Sequence, residues 1–459
     1  MRFAITFTAS DFDKMYSYVI QDGHEEAAFL LCGVAETPSF TNLLTREVIP
    51  VPDSAFISKS GAFLNIKPEF MMPIIKIARL DNLSVISVHS HPFSRGNTSF
   101  SSIDDYGDTV LIPKICGRVP RQPHGHIVVG RNSLDARLWK KDQYSSVPVD
   151  EVRVVGRRLR KTYPTSSRAC SFSAVSDAYQ RQVLAIGEEA QKLIQELTTA
   201  VVGLGGIGSQ VFQHLVYLGV KHFIVVDPDV VEETNRSRLI GSTASDVKSC
   251  VAKTEVMKRV AQAFDCRIKI EAIQDSVYTL STARRLIEAD VIFCCTDNLY
   301  SRMVLNRIAY QYLIPLIDVG LEIRAYGGMI TSAGGRVMVV LPSGPCLDCV
   351  GILDARAVSD EISALTSGDL TTGHYVSGEP IENPAVISLN GVVASLAATE
   401  LLNLISGLES HRTAETYKVY RVLEGDVRLV EMKTERQCGV CVEVQGKGDG
   451  EKLPCRADG

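Results

Sequence analysis

Residues 199–229 read TAVVGLGGIGSQVFQHLVYLGVKHFIVVDPD, and this stretch decides the fold of the longer part of the chain. An apolar run meets a cluster of glycines, a helical pattern follows, and a second apolar run ends at Asp227. This order predicts strand, tight turn, helix and strand. Such glycines let the backbone approach a polyphosphate, the helix start supplies free N–H donors, and the acidic residue can reach a ribose hydroxyl. The stretch therefore predicts a nucleotide site that contains Gly203, Gly205, Gly206, Gly208 and Asp227.

The composition is that of a globular protein. The chain has 459 residues, of which 45% are hydrophobic, so two or three domains with buried cores are expected. A formal net charge of -5 and a pI near 6.0 indicate neither a nucleic-acid partner nor a membrane-surface partner.

The N-terminus lacks a basic segment followed by a sustained apolar run, so no signal peptide is expected and a cytoplasmic location is predicted. Residues 385–404 form the longest apolar stretch, but Asn390, Glu400 and Asn403 interrupt it, which favours a buried helix over a membrane span. Twelve cysteines without an export signal indicate thiols and metal ligands rather than disulfides.

Periodicity divides the chain into four parts and predicts an α/β protein. Residues 1–145 read as a mixed α/β domain, and residues 146–173 as a linker, because Ser, Pro and a basic run at 157–161 break the pattern. Residues 174–445 show the βαβ alternation of a Rossmann-like, largely parallel sheet. The polar tail, residues 446–459, is expected to be disordered.

Two histidines in the first domain indicate a metal. His89 and His91 lie two apart at the end of a predicted strand, so both imidazoles project to one side, an arrangement that suits zinc. Asp104, on the first turn of a predicted helix, can supply a third ligand and leave the fourth position to water. Glu26, just before another strand, is the candidate base that takes the proton of that water. The alternative is that the two histidines are ordinary polar residues at a strand end.

These residues resemble the JAMM (MPN+) metalloprotease motif, which consists of a Glu, a His-x-His pair and a Ser-x-x-Asp. The resemblance covers roughly the first 140 residues and implies a zinc-dependent (iso)peptidase. It implies these roles: His89, His91 and Asp104 as ligands of a catalytic zinc, Glu26 as general base and acid, and Ser101 as the oxyanion donor.

The spacing departs from the family pattern. Nine residues separate His91 from Ser101, two more than is usual, so Ser102 with Asp105 is a rival assignment. Glu25 is likewise a rival to Glu26. A degenerate relative that does not cleave is the alternative to an active site.

Charged residues after the glycine stretch favour ATP over NAD. Asn235, Arg238 and Lys253 follow Asp227 closely, and Asp297 lies at the end of a later predicted strand. A triphosphate that reacts with a nucleophile requires cations to balance its negative charge. The Asp297 carboxylate can hold Mg²⁺ against the phosphates. The P-loop pattern GxxxxGK[ST] does not occur.

Residues 177–441 resemble the ThiF/MoeB/HesA superfamily of ubiquitin-activating-type adenylyltransferases. The matching pieces are Arg181-Gln182, the glycine stretch, Asp227-Pro228-Asp229, Thr234-Asn235, Arg238, Lys253, CTDN at 295–298, and Arg302. The resemblance implies that Asp227 binds the ribose, that Asn235, Arg238 and Lys253 hold phosphates, and that Asp297 binds Mg²⁺. It also implies a homodimer in which Arg181 acts in the neighbouring subunit's ATP site. The implied substrate is a ubiquitin-like protein with a C-terminal Gly-Gly, whose terminal carboxylate attacks the α-phosphate of ATP.

Two CxxC pairs have the spacing of a closed zinc site, and the family carries a structural zinc there: Cys346, Cys349, Cys438 and Cys441. Many family members then form a thioester on a cysteine after the first pair, but residues 350–404 contain none. Direct transfer of the adenylate to a thiol or amine of an acceptor or conjugating protein is therefore expected, with Cys250 and Cys455 as outside candidates.

The leading hypothesis is a bifunctional enzyme of a ubiquitin-like modifier pathway, in which one domain adenylates the modifier. The peptidase would either trim residues beyond the Gly-Gly end or cleave finished conjugates, and both actions stay open. Two alternatives are a Rossmann NAD-dependent oxidoreductase and a non-catalytic scaffold that binds a ubiquitin-like partner. The oxidoreductase leaves Lys253, Asp297 and the CxxC pairs without a role.

Overall fold

The computed structural model forms two compact units. It describes residues 1–21, 24–59, 64–94, 96–120, 122–140, 145–167, 174–367, 384–408, 416–433 and 437–458. The first unit comprises Met1–Phe172, Gln311–Leu313 and Gln445–Lys452, and the second comprises Ser173–Tyr310, Ile314–Val444 and Leu453–Gly459.

The first unit is built on a mixed sheet. Its strands are β1 (Arg2–Thr8), β2 (Ala27–Glu36), β3 (Phe40–Pro50), β4 (Phe56–Lys59), β5 (Leu64–Ile66), β6 (Ser84–Ser90), β7 (His124–Val129), β8 (Leu134–Trp139), β9 (Ser146–Pro148), β10 (Glu151–Val155) and β11 (Arg160–Thr162). Its helices are α1 (Ala9–Val19), α2 (Pro68–Leu80) and α3 (Ser102–Cys116). The main sheet has the order β11-β10-β1-β3-β2-β6-β7-β8-β9, and β4 pairs with β5. The sheet contains parallel pairs (β1 with β3 and β10, β6 with β7) as well as antiparallel ones, which confirms the predicted mixed α/β domain.

Side-chain alternation along β2 gives this sheet a core on each face. Leu30 belongs to the core that contains Met15 of α1. Phe29 belongs to the other core, with Ile75 of α2 and Ile115 of α3. Because successive strand residues point to opposite faces, β2 is buried almost throughout.

The predicted linker is wrong as far as residue 162, because β9, β10 and β11 lie in it and extend the first sheet. Lys161, the last residue of the basic run that suggested a linker, is paired in this sheet. Glu151 forms ion pairs with Arg153 and with Lys161, all three with nearly buried side chains. Residues 168–173 lie outside the described residues.

The second unit has strands β12 (Thr198–Val202), β13 (His222–Val226), β14 (Lys269–Ile273), β15 (Val291–Cys294), β16 (Leu316–Tyr326), β17 (Met329–Val340), β18 (Tyr417–Arg421) and β19 (Asp426–Leu429). Its helices are α4 (Gln180–Ile186), α5 (Glu188–Glu196), α6 (Gly208–Leu218), α7 (Ala244–Lys248), α8 (Lys253–Phe264), α9 (Leu280–Arg285), α10 (Leu299–Gln311), α11 (Ala355–Ser367) and α12 (Ile387–Ser406). Short 3-10 helices lie at Asp53–Ala55 in the first unit and at Asp177–Tyr179, Glu233–Asn235 and Leu286–Glu288 in the second.

The sheet of the second unit has the order β14-β13-β12-β15-β16-β17-β18-β19. The first five strands in this order are parallel, and the last three join antiparallel. From β12 the chain moves outward to β13 and β14 and then returns to the other side of β12 as β15. Strand order therefore reverses between β12 and β15, and the carboxyl ends of these two strands are where open α/β sheets bind ligands.

Helix α12 has the length and apolar composition of a membrane span. Its buried residues include Asn390 and Glu400, and the Glu400 carboxylate forms an ion pair with Lys418 of β18. A paired buried charge is expected in a protein core, which agrees with the buried helix predicted for this stretch.

The C-terminal tail, predicted to be disordered, is held by backbone hydrogen bonds in each unit. In the first unit the Asp449 N–H donates to the Val34 carbonyl at 2.7 Å. In the second, the Arg456 N–H donates to the Tyr278 carbonyl at 2.8 Å, and the Leu280 N–H donates to the Arg456 carbonyl at 3.0 Å. The polar composition was misleading because these contacts use the backbone rather than apolar side chains.

Candidate functional site

The glycine loop (residues 203–208) lies at the point where strand order reverses. Gly203 follows β12 with a φ of 85°, and a methyl group built on it would lie 2.7 Å from the Cys295 carbonyl oxygen after β15. Only glycine combines that backbone angle with so close an approach. Gly208 begins α6, so the loop leads into the helix N-terminus as predicted. The loop therefore offers free backbone donors beside the segment that carries Asp297.

Asp227 is nearly buried behind the glycine loop. Its Oδ2 accepts from the Leu204 N–H at 2.6 Å, and its Oδ1 accepts from the Asp229 N–H at 2.9 Å. Burial raises the pKa of this carboxyl, against the lowering effect of Lys253 and the two backbone donors. Asp227 thus fixes the loop that the sequence assigns to the nucleotide.

The predicted phosphate ligands lie near this carboxyl. Lys253, the first residue of α8, places Nζ 2.6 Å from Asp229 Oδ2 and 3.7 Å from Asp227 Oδ1. Arg238 lies against Gly206, since a methyl group built there would be 3.0 Å from Arg238 Cδ. Asn235 lies on the short helix before Arg238, and its Oδ1 accepts from the Glu232 N–H at 3.4 Å.

Asp297 is exposed after β15. Arg302, five residues later on α10, is nearly buried, and its Nε donates to Asp318 Oδ1 at 3.0 Å. Asp318 Oδ2 accepts from Arg336 Nε at 3.1 Å. Burial by itself would raise the Asp318 pKa, but the two guanidinium groups outweigh it and hold the pKa below its ordinary value. The sequence pointed to Arg302 but not to its pairing with Asp318 and Arg336, although an acidic residue inside an apolar strand was a signal of it.

Arg181 lies on α4 with an exposed side chain. Among the described residues of this chain, no hydrogen bond or ion pair joins it to the glycine loop. Its predicted action in a neighbouring subunit stays a prediction.

The two CxxC pairs meet in space. The sulfur separations are 3.7 Å for Cys346 and Cys349, 3.5 Å for Cys346 and Cys438, and 3.5 Å for Cys349 and Cys441. These are too long for disulfides, whose S–S distance is about 2.05 Å. Four sulfurs at about 2.3 Å from a common tetrahedral zinc would lie about 3.8 Å apart. The donor set and the spacing therefore fit a closed structural zinc site.

The sequence profile of the ThiF family matches residues 179–440, which is more than half of the chain. This chain belongs to the ThiF family. The matched segment, called the ThiF unit below together with Cys441, contains the glycine loop, Asp297 and three of the four clustered cysteines, and it ends one residue before the fourth.

Three relatives each align with more than half of the chain. The sulfur carrier protein ThiS adenylyltransferase of Bacillus subtilis (strain 168) is 26% identical over 265 residues, 57% of this chain and 70% of the relative. The SAMP-activating enzyme E1 of Haloferax volcanii is 25% identical over 269 residues, 58% of this chain and 89% of the relative. The molybdopterin-synthase adenylyltransferase of Escherichia coli (strain K12) is 25% identical over 265 residues, 57% of this chain and 95% of the relative. By name, two of these relatives are adenylyltransferases and one is an activating enzyme.

Three cysteines outside this cluster differ in their surroundings. Burial raises the pKa of Cys455, an outside candidate for a thioester, to about 12, which disfavours the nucleophilic thiolate. Burial also raises the pKa of Cys294 to about 12, and this fully buried cysteine belongs to the core. Cys250 is exposed.

The first unit brings the three predicted metal ligands together. His89 Nε2 lies 3.0 Å from Asp104 Oδ1 and 3.2 Å from His91 Nε2, and His91 Nε2 lies 3.5 Å from Asp104 Oδ2. Nitrogen and oxygen ligands at about 2.1 Å from a common tetrahedral zinc would lie about 3.4 Å apart. These residues precede the family match, so the cluster is supported by its geometry alone.

Electrostatics in this cluster also suit a metal. Burial lowers the pKa of both imidazoles, which favours the neutral form that ligates. Burial opposes ionisation of Asp104, but hydrogen bonds from His89 and Ser101 outweigh it and hold the Asp104 pKa below its ordinary value. Two neutral imidazoles and one carboxylate form a ligand set that zinc accepts.

The start of α3 favours Ser101 and Asp104 over their rivals. Ser101 Oγ accepts from the Asp104 N–H at 3.2 Å, and Asp104 Oδ2 accepts from the Ser101 N–H at 2.6 Å. This capping box turns the Asp104 carboxylate toward the histidines. Asp105 is instead largely exposed and pairs with Arg137 at 2.6 Å.

The pleat places Glu25, rather than Glu26, beside the cluster. Ala27 pairs with His89, and the Ser90 N–H donates to the Glu26 carbonyl at 3.0 Å, so the extended pairing continues toward Glu25. Because side chains alternate between faces, Glu25 lies on the same face as Ala27 and His89. Glu25 Oε1 lies 3.7 Å from His91 Nε2, and burial with the nearby Asp104 charge raises its pKa to about 7. Glu26 forms an ion pair with Lys59. The preferred base of the sequence analysis thus points away from the histidines.

A buried chain of polar side chains supports His89 from behind. His89 Nδ1 lies 2.8 Å from His126 Nε2, and His126 Nδ1 lies 2.7 Å from Asp108 Oδ1. Asp108 Oδ2 accepts from Arg137 Nε at 2.9 Å. Metal-binding histidines commonly donate their second N–H to such a partner, which fixes the ring and its tautomer. The sequence analysis missed His126 and Asp108, because nothing in their spacing connects them to His89.

Proposed function

We propose that the ThiF unit adenylates the C-terminal glycine of a ubiquitin-like protein with ATP. The observation that carries this proposal is the meeting of the glycine loop and the Asp297 segment at the switch point of a ThiF-family sheet. Relatives named for the sulfur carrier ThiS and for SAMP support a small carrier protein as the substrate. Lys253 and Arg238 supply positive charge at this site, which a dinucleotide would not require.

The reaction balances without a proton donor. A carboxylate oxygen of the terminal glycine attacks the α-phosphorus, the bond from that phosphorus to its bridging oxygen breaks, and pyrophosphate leaves. Asn235, Arg238, Lys253 and the glycine-loop N–H groups would hold the phosphates, and Asp227 the ribose. Mg²⁺, held by Asp297, would neutralise charge on the phosphates. In a homodimer, the Arg181 of each subunit would complete the site of the other.

The fate of the adenylate is set by the cysteines. Residues 350–404 hold no cysteine, so we propose transfer directly to a thiol or amine of an acceptor or conjugating protein.

ATP–pyrophosphate exchange with candidate ubiquitin-like proteins tests adenylation. Exchange should depend on the protein substrate and should fall at least about 10²-fold in Arg238→Ala, because that cation stabilises the transferring phosphate. The matched control is Arg236→Ala, since Arg236 pairs at the surface with Glu233. Equal exchange in both variants, or no exchange with any Gly-Gly protein, would refute the proposal.

We also propose that the first unit is a zinc-dependent peptidase that acts at the C-terminus of the same modifier, by trimming a precursor or by deconjugation. The specific observation is the His89, His91 and Asp104 cluster with the acidic Glu25 beside it. When bound, zinc would bring the pKa of a ligated water toward neutrality and polarise the scissile carbonyl. Glu25 would take the water proton and pass it to the leaving amine, and the Ser101 hydroxyl would donate to the oxyanion.

Trimming tests this second proposal. A modifier with a short C-terminal extension should be shortened to its Gly-Gly end, and a chelator should stop the reaction. An isopeptide-linked conjugate offered in parallel separates deconjugation from trimming. Cleavage of neither substrate by zinc-loaded protein would contradict it.

A further inference from the structure

The first turn of α12 lies against the glycine loop, although about 180 positions separate the two in sequence. Gln210 of α6 joins them, because its Nε2 donates to the Gly206 carbonyl at 2.9 Å and to the Ile387 carbonyl at 3.2 Å. Gly391 permits the approach, since a methyl group built on it would lie 3.0 Å from Gln210 Oε1. The chain thus brings the N-terminal turns of two helices to one phosphate-binding loop.

Asn390 projects from this turn onto Gly206. A methyl group built at Gly206 would lie 2.4 Å from Asn390 Nδ2, which is closer than atoms in contact allow. Arg238 Cδ would lie 3.0 Å from the same methyl group. The Asn390 amide and the Arg238 side chain therefore flank Gly206 together.

Asn390 is nearly buried beside the glycine loop. The residue is 4% exposed, and its amide makes no hydrogen bond to any residue that the structure describes. Its amide atoms are not among the side-chain atoms that are sealed from solvent without a hydrogen bond, so they stay accessible to a ligand. An unused N–H₂ group against a phosphate-binding loop is the arrangement expected of a donor that waits for a ligand.

We infer that Asn390 is a nucleotide-binding residue whose amide donates to a phosphate oxygen of ATP held by the glycine loop. The inference rests on the proposed function and adds a ligand from outside residues 203–297, which hold the nucleotide-binding residues assigned above to the same subunit. Phosphate is favoured over ribose because the amide lies at Gly206, whereas Asp227 contacts the loop at Leu204.

Calorimetric titration of the full chain with MgATP and with adenosine tests the assignment. Asn390→Ala should weaken ATP binding by about 10-fold or more, the usual effect of one lost hydrogen bond to a charged group. Asn390→Asp has nearly the same shape but should weaken ATP binding further, because its carboxylate would repel the negatively charged phosphates. Both variants should bind adenosine within about twofold of the wild type, since adenosine has no phosphate.

Ser395→Asp is the matched control, because it adds the same charge on an exposed position of α12. It should bind ATP as the wild type does, and zinc content with thermal melting would show that each variant is folded. Should Asn390→Asp fail to fold, Asn390→Ala and Asn390→Ser test the same loss of ATP affinity.

Unchanged ATP binding in Asn390→Ala and Asn390→Asp would overturn the assignment while leaving the proposed function intact. Equal losses for ATP and adenosine would also overturn it, because the residue would then shape the site rather than contact phosphate. A wild-type chain that binds no ATP would overturn the assignment and the proposed function together.

Discussion

The described residues contain two clusters of side chains that could hold a metal ion, one in each unit, and the clusters differ in how complete they are. The cluster of Cys346 and its three partner cysteines has four sulfurs, enough to close a tetrahedral site. The cluster of His89, His91 and Asp104 has three ligand atoms and an acidic neighbour, Glu25. A closed set stabilises the fold, whereas a set of three with an adjacent acid leaves one position for water. The difference separates a structural role from a chemical one.

The two clusters also differ in what the neighbouring side chains hold in place. The Asn306 side chain holds the loop between Cys346 and Cys349. Its Oδ1 accepts from the Leu347 N–H at 3.1 Å, and its Nδ2 donates to the Asp348 carboxylate at 2.7 Å. At the histidine cluster, His126 instead bonds a ligand side chain directly. The first arrangement fixes a loop, and the second fixes the orientation of one ligand.

The largest expected effect is in Cys438→Ser. Loss of one of four sulfurs should remove the structural zinc and destabilise the ThiF unit by several kcal/mol, because the binding free energy of such a site is also folding free energy. Zinc analysis should give one ion fewer per chain, and thermal melting should show the loss of stability. Cys250→Ser, an exposed cysteine outside the cluster, is the control and should change neither quantity. Unchanged zinc content in Cys438→Ser would end the structural assignment.

The next largest effect is in Asp104→Ala. Removal of the third ligand should abolish trimming and lower the zinc content, since two imidazoles alone hold the ion weakly. Melting of the ThiF unit and ATP–pyrophosphate exchange should stay at wild-type values. Asp105→Ala is the matched control, because that exposed carboxylate pairs with Arg137. A variant that still trims would show that the cluster is not catalytic.

The trimming rates of Glu25→Gln and Glu26→Gln decide which glutamate is the base. Glu25→Gln should lower the rate of trimming by about 10²–10⁴-fold with zinc still bound, the usual range for loss of a general base. Glu26→Gln weakens the ion pair with Lys59 and should lower the rate much less. The reverse order of effects, measured at equal zinc occupancy, would restore Glu26 as the base.

The smallest effect is expected in His126→Ala. Zinc affinity at the histidine cluster should fall by about 10–100-fold, because His89 loses the partner that orients its ring. Competition with a chromophoric chelator measures this change without relying on activity. His126→Gln keeps an acceptor at that position and should recover part of the affinity. Wild-type affinity in His126→Ala would mean that packing alone holds His89.

Much of the candidate site could be predicted because it lies in short segments. The glycine loop, the CxxC pairs and the His-x-His pair each carry their chemistry within ten residues, so local geometry decides them. Two outcomes needed the fold. Glu25 and Glu26 are adjacent identical residues, and only the pleat beside β6 shows which one faces the histidines. His126 lies 37 positions from His89 and becomes its neighbour through the pairing of β6 with β7.

By itself, the sequence determined the two-part α/β organisation, the glycine loop, the two CxxC pairs and the His-x-His pair, because periodicity and residue spacing act over one strand or one turn. The tertiary structure decided three further points: which glutamate accompanies the histidines, that residues 146–162 are strands, and that Asn390 reaches the glycine loop. Each of these depends on which distant segments pair or cross. Such contacts form when chain segments bury apolar surface together, and no local pattern records them.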